Sequence, residues 1–219
     1  MERTRQQTFA RWGFYLLGMV LLALGLTLNT KTGLGASAIV SVPFTLSQAT
    51  GWDFGNLTLA VYCLLVAAQF VIKGEKRQWT DLLQIPLSIV FTRFLNVFAA
   101  LIPYQSGALA ADLALLVAAI VFTGVSAAMT VSMQLIPNPG DGIVGTIARV
   151  TGRELGFCKN CFDIGCVAVS LLLGFCLGDV LLGVGLGTLL SMVGVGRAIA
   201  GFNALCRRPL LAATGMTSR

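Results

Sequence analysis

Six long, nearly uninterrupted apolar runs constrain this chain more than any other feature. They lie at about Phe9–Leu28, Leu57–Ile72, Leu82–Ile102, Leu109–Leu135, Phe157–Leu177 and Val180–Leu205. Each is near the ~20 residues that a helix needs to cross a hydrocarbon core. Lipid offers the backbone no water, so a spanning segment must satisfy its own hydrogen bonds, and helices are the reading. Hydrophobic residues make up 56% of the chain and charged residues 11%, against ~25% charged in a soluble domain. The expected fold is an all-α membrane protein with six transmembrane helices. Two further apolar stretches, Ala36–Ala49 and Gly142–Val150, are too short to cross.

Charge placement sets the expected topology. With the N-terminus in the cytoplasm, Arg3, Arg5, Arg11, Lys73, Lys76, Arg77, Arg149, Arg153, Arg207, Arg208 and Arg219 fall on the cytoplasmic side. Only Lys31 falls in an outside loop, which is the positive-inside signature. Both termini are therefore expected inside. The net charge of +6 follows from topology, and no nucleic-acid partner is expected. The first run is longer than a signal-peptide core and lacks a clear cleavage site, so a retained first helix is expected.

The chain contains no histidine. Histidine proton relays, histidine metal sites and Ser-His-Asp catalysis are excluded. The six cysteines, Cys63, Cys158, Cys161, Cys166, Cys176 and Cys206, lie in or beside apolar runs and read as small apolar residues. Gly183-x-Gly185-x-Gly187-Thr188 and Gly194-x-Gly196-Arg197 are read as smoothing one side of the sixth helix. They lack the Lys-Ser/Thr pair of a phosphate loop. No metal cluster, cofactor motif or nucleophile–base pair is visible, so neither an enzyme nor a bound cofactor is expected.

The two halves of the chain share an order of features. Thr50-Gly51-Trp52-Asp53-Phe54-Gly55 and Thr151-Gly152-Arg153-Glu154-Leu155-Gly156 are both Thr-Gly-x-acid-x-Gly, 101 positions apart. Ile39-Val40 answers Ile143-Val144 at an offset of 104, as Arg93 answers Arg197, so the first short stretch is expected to carry about three extra residues. The expected division is residues 1–108 and 109–219, each a three-helix repeat within one membrane domain. Three spans per half force opposite orientations, hence an inverted repeat. Breaker-rich segments, Leu34–Ser37 and Pro137–Gly142, precede the short stretches. Each half is therefore expected to carry a short broken or re-entrant helix, capped by Ser37 in one and Asp141 in the other. Lying flat as an interfacial connector is the other reading of these helices.

Intramembrane charges are costly and mark interiors or wet cavities. Arg93 and Arg197 sit deep in apolar runs and are the first candidates for a site, as clamps on an anionic solute or as structural ion pairs. Asp163 lies inside the fifth run at i+4 from Lys159, so the two share a helix face. Asp141 and Asn138 belong to the second breaker. Asp112, Asp179, Asp53 and Glu154 read as ordinary solvated charges at helix ends. Asn56, Asn96 and Asn203 are candidates for bonds between helices.

Leu135-Ile136-Pro137 with Gly140-Asp141-Gly142, Thr151–Lys159 with Asp163, and Gly183–Thr188 resemble the bacterial YczE/YitT-like integral membrane proteins. Lys31–Ala36 followed by Thr50-Gly51 and Gly55 is similar to that family's first repeat. Where many relatives carry a Pro-Trp-Asp-like group, this chain has Ala38-Ile39-Val40, which leaves Asp141 without a first-half counterpart. The resemblance implies a multispanning protein of the bacterial inner membrane. The functional expectation is a small-solute transporter with a midplane site lined by Arg93 and Arg197, joined by Asp163, Lys159, Asp141 and Asn138. Its expected partners are the lipid bilayer and a small solute, read as an anion from the arginines, with homo-oligomer formation open. The alternatives are a non-transporting accessory or scaffold protein, or the substrate-binding subunit of an energised transporter.

Overall fold

The computed structural model describes residues 4–216, except for the side chain of Lys76. All regular structure among them is helical. Eight α-helices follow in order: α1 Arg5–Lys31, α2 Ala38–Thr50, α3 Phe54–Lys73, α4 Gln84–Leu101, α5 Leu109–Met133, α6 Pro139–Thr151, α7 Leu155–Cys176 and α8 Leu186–Thr214. Two short 3₁₀ turns, Gly74–Lys76 and Trp79–Leu83, join α3 to α4. Six helices are long and apolar enough to cross a membrane: α1, α3, α4 with its preceding turn, α5, α7 and α8. The six spans expected from the sequence are present.

Local chemistry sets the boundaries. Thr4 and Gln7 exchange side-chain-to-backbone hydrogen bonds in a capping box that starts α1. The N-cap of α6 is Asn138, whose side chain accepts from the Gly140 N–H at 3.1 Å. Asp141, expected as that cap, lies in the helix's first turn instead. Ser37 is the N-cap of α2 but makes no side-chain capping bond. Both short helices stop at a left-handed glycine, Gly51 at φ 71° and Gly152 at φ 68°.

The short helices are each 13 residues long and keep the 101-residue offset from first residue to last. The three extra residues expected in the first half are absent. Ile39 is the second residue of α2, whereas Ile143 is the fifth of α6.

Burying apolar surface drives little association inside lipid, so close backbone approach carries the packing. The largest seam joins α1 to α5. There a Cβ on Gly25 would come within 2.8 Å of the Thr123 backbone nitrogen, so only glycine lets these helices approach so closely. Around that seam, α1 packs on α4 and α5 on α8; α2 packs on α7 and α6 on α3. The main buried cluster unites Ala23 and Leu26 of α1, Val40 of α2, Tyr62 of α3 and Phe91 and Leu95 of α4. Tyr62 and Phe91 stack with centroids 5.9 Å apart.

Two irregular segments run along neighbouring helices. After α5, the Met133 and Gln134 carbonyls each accept from the Arg11 guanidinium at 2.7 Å, and the Ile136 carbonyl accepts from the Tyr15 hydroxyl at 2.7 Å. The chain thus advances along α1 before α6 begins. After α1, Leu34–Ala36 clasps the segment leading into α8. Gly187 N–H donates to the Leu34 carbonyl at 2.7 Å, and Ala36 N–H to the Gly183 carbonyl at 3.1 Å. Gly183 and Gly185 lie ahead of α8, not along it, which corrects the reading that this glycine run smooths a helix. The sixth span accordingly begins at Leu186 rather than near Val180.

Candidate functional site

A polar cluster lies along α6, between α3 on one side and α7 on the other. Lys159 and Asp163 are one turn apart on α7, and the lysine ammonium donates to both carboxylate oxygens, at 3.0 and 3.1 Å. Asp163 is buried, while the Lys159 side chain remains about a third exposed at 36%. Asp141, in the first turn of α6, is within electrostatic reach of both. From α3 comes Tyr62, whose buried hydroxyl lies beside Asn138 and Asp141 yet completes no hydrogen bond of ordinary geometry. Cys166 flanks Asp163 one turn further along α7.

Two carboxyl groups, Asp141 and Asp163, share one ammonium, and the α6 N-terminus supplies only a partial positive charge beside Asp141. An arrangement of this kind favours a cationic group.

Buried amides support the cluster from beneath. Gln69 of α3 and Gln84 of α4 exchange side-chain hydrogen bonds, both 3.1 Å, and Gln69 also donates to the Pro139 carbonyl at 3.3 Å. A Cβ on Gly142 would come within 2.7 Å of the Gln69 side-chain oxygen. On the far side, Ser170 of α7 donates to Ser41 of α2 at 2.7 Å. A void of about 20 Å³, bounded by Tyr15, Gln84, Ser88, Thr130 and Asn138, touches the start of α6 and has room for about one water.

The model described as "Family of unknown function (DUF6198)" matches residues 9–204. The chain belongs to that family. This DUF6198 chain is also similar to "Uncharacterized membrane protein YczE" of Bacillus subtilis (strain 168), 25% identical over 162 residues, or 73% of each chain. The YczE-like resemblance read from the Thr-Gly and Gly-x-Gly motifs is therefore supported, and with it a membrane protein. No solved structure matches the chain.

In this DUF6198 fold, four of the expected site residues come together: Asn138, Asp141, Lys159 and Asp163. Arg93 and Arg197 do not join them. Both are exposed on the outside of the bundle. Arg93 reaches Asn56 in the first turn of α3, with a guanidinium-to-amide hydrogen bond. Beside it, Asn96 donates to the Asp53 carboxylate at 2.8 Å and accepts from the Gly55 N–H at 3.0 Å, so Asn56 and Asn96 do bond between helices. Asp112 is buried rather than solvated, and accepts from the Tyr104 and Ser106 hydroxyls, both at 2.8 Å. All six cysteines are free.

Sequence reasoning missed Tyr62, Gln69 and Gln84. The signal available was small: each is a lone polar group in or at the edge of an apolar run, and such groups in spans generally face protein.

Proposed function

We propose that the chain is a secondary carrier for a small cationic solute, with Asp141 and Asp163 as its charge partners. The observation that carries this reading is the excess of carboxyl groups over ammonium where α6 lies between α3 and α7, with Asp163 buried and Asp141 half-buried. The anion expected from the sequence rests on Arg93 and Arg197, which stand outside this cluster. Lys159 neutralises one carboxylate and leaves the other for the solute.

The proposed carrier is two inverted three-helix repeats, residues 1–108 and 109–219. Reciprocal packing supports this: α2 on α7 answers α6 on α3, and α1 on α4 answers α5 on α8. Equal short helices with matching glycine stops support it too. The advance of residues 134–138 along α1 favours α6 as re-entrant over interfacial, with its N-terminus inside the protein. In this reading both termini are cytoplasmic, the membrane is the bacterial inner membrane, and the halves rock about the charged cluster. The chain acts as a carrier and not as an enzyme.

Thermal unfolding of the purified protein against a panel of amines, quaternary ammonium ions and carboxylates tests this. A ligand at a hundred times its dissociation constant adds about 2.7 kcal/mol of stability. A cation that stabilises the wild type but not Asp141→Asn, and that crosses proteoliposome membranes, is the expected result. Carboxylates alone stabilising the protein, or a cation response indifferent to both Asp141→Asn and Asp163→Asn, overturns it. A bound cation that is not transported without other subunits identifies a binding subunit of a larger transporter.

A further inference from the structure

A second feature lies beside the cluster but has different chemistry. The spans α3 and α7 stand apart, bridged by α2 and α6. Between them runs a furrow of about 670 Å³, within the ~300–1,000 Å³ typical of small-molecule sites. Its floor includes Ile39 of α2 and Ile147 of α6, and its walls Val61 and Leu65 of α3 with Phe162 and Val169 of α7. It contains no carboxylate. The α7 side is open: Gly165, Phe157 and Val169 are exposed where the span faces the bilayer.

One end carries charge. Arg153 lines the furrow there, its guanidinium 5.9 Å from the centre of the Phe157 ring, a separation at which ring and cation attract. Arg149 occupies the last turn of α6, and Glu154 is the N-cap of α7. Among the described residues that line the furrow, Arg153 alone is charged, so this end is positive. The positive-inside pattern places it at the cytoplasmic leaflet, whose anionic lipids attract basic groups.

We propose that this furrow is a binding site for an anionic phospholipid, with an acyl chain along its apolar floor and the headgroup phosphate at Arg153. A lipid tail gains little by leaving other tails for an apolar groove, so selection must come from the headgroup and from the shape of the furrow. Arg153 supplies the first, and the gap between α3 and α7 the second. This site is independent of the solute site, and either proposal can fail while the other stands.

Native mass spectrometry of the detergent-purified full chain, with phosphatidylglycerol or phosphatidylcholine added, is the test. The wild type retains phosphatidylglycerol about fivefold better, the ratio expected for one Lys or Arg at an anionic surface. Arg153→Gln brings the two lipids level. Gly165→Trp releases both, because a Cβ at Gly165 meets no atom within 4 Å and the indole fills open furrow. Equal retention by the wild type overturns the proposal, as does a phosphatidylglycerol preference that survives Arg153→Gln. Arg153 is exposed between two helices, so its variant keeps the fold and decides the matter even where Gly165→Trp does not fold.

Discussion

Thr188 of α8 donates its hydroxyl to the Ala36 carbonyl at 2.7 Å, joining residues 152 positions apart. The bond closes the clasp between the Leu34–Ala36 segment and the start of α8. The same Thr188 oxygen accepts from the Gly185 N–H at 3.2 Å.

The clasp predicts a difference between two glycines. Gly51 has φ 71° and nothing within 4 Å of its missing Cβ. Gly51→Ala should therefore cost only the left-handed penalty, about 1–2 kcal/mol. Gly35 has φ 99°, and a Cβ there would lie 2.6 Å from Thr188 Oγ1. Gly35→Ala should cost clearly more than Gly51→Ala in thermal unfolding. Equal losses would mean the clasp is looser than described.

The Gln69–Gln84 pair predicts non-additivity. Each amide is almost wholly buried, at 0% and 1% exposure. Gln69→Leu alone strands the Gln84 amide, at about 1–3 kcal/mol. Gln69→Leu with Gln84→Leu removes both polar groups and should cost less than the two single variants summed. A double-mutant cycle on detergent-solubilised protein measures this, and simple additivity would count against the pair.

Lys159 should matter more to stability than Asp163. Lys159→Gln leaves Asp141 and Asp163 facing each other with no cation between them. Asp163→Asn leaves Lys159 free to balance Asp141. Partial exposure of the lysine tempers the effect, so a gap of about 1 kcal/mol between the variants is expected. Chemical unfolding of both variants checks the order, and a more damaging Asp163→Asn would reverse the account.

Tyr104 supplies a pH dependence outside the spans. Its hydroxyl donates to the Asp112 carboxylate, and that bond raises the phenol above its usual value of 10.0. A raised value in the folded state means the stabilisation is complete below the unfolded value and is lost as pH climbs through the folded one. Alkaline titration should therefore show a phenolate signal, absent in Tyr104→Phe, with its midpoint above pH 10.0. Asp112→Asn should move that midpoint downward. No movement would mean the carboxylate is not its partner.

The spans were legible because apolar run length reports the lipid they must cross. The Thr-Gly stops were legible because a helix ending in a left-handed turn favours glycine. Lys159 and Asp163 were legible as an i, i+4 pair. The direction in which Arg93 and Arg197 point was not. Their helices are apolar around most of the circumference, so no stripe in the sequence distinguishes an inward from an outward face. The start of α8 was misjudged because Val180–Gly185 is as apolar as a span but folds into turns and bends, its Gly183 carbonyl held by the Ala36 N–H from far earlier in the chain. Gln69 and Gln84 were unreadable as partners for a similar reason: only the turn between α3 and α4 brings them together.

The bonds that tie α1 to later parts of the chain set an order of assembly. Arg11 and Tyr15 hold carbonyls at Met133, Gln134 and Ile136, and Asn29 donates to Ser191 at 2.6 Å. The first span leaves the ribosome long before any of these partners exists. Its insertion is provisional until α5 arrives to meet Arg11 and Tyr15, and incomplete until α8 reaches Asn29. A nascent chain halted before Ser191 thus carries an Asn29 side-chain N–H without the acceptor that the finished protein gives it.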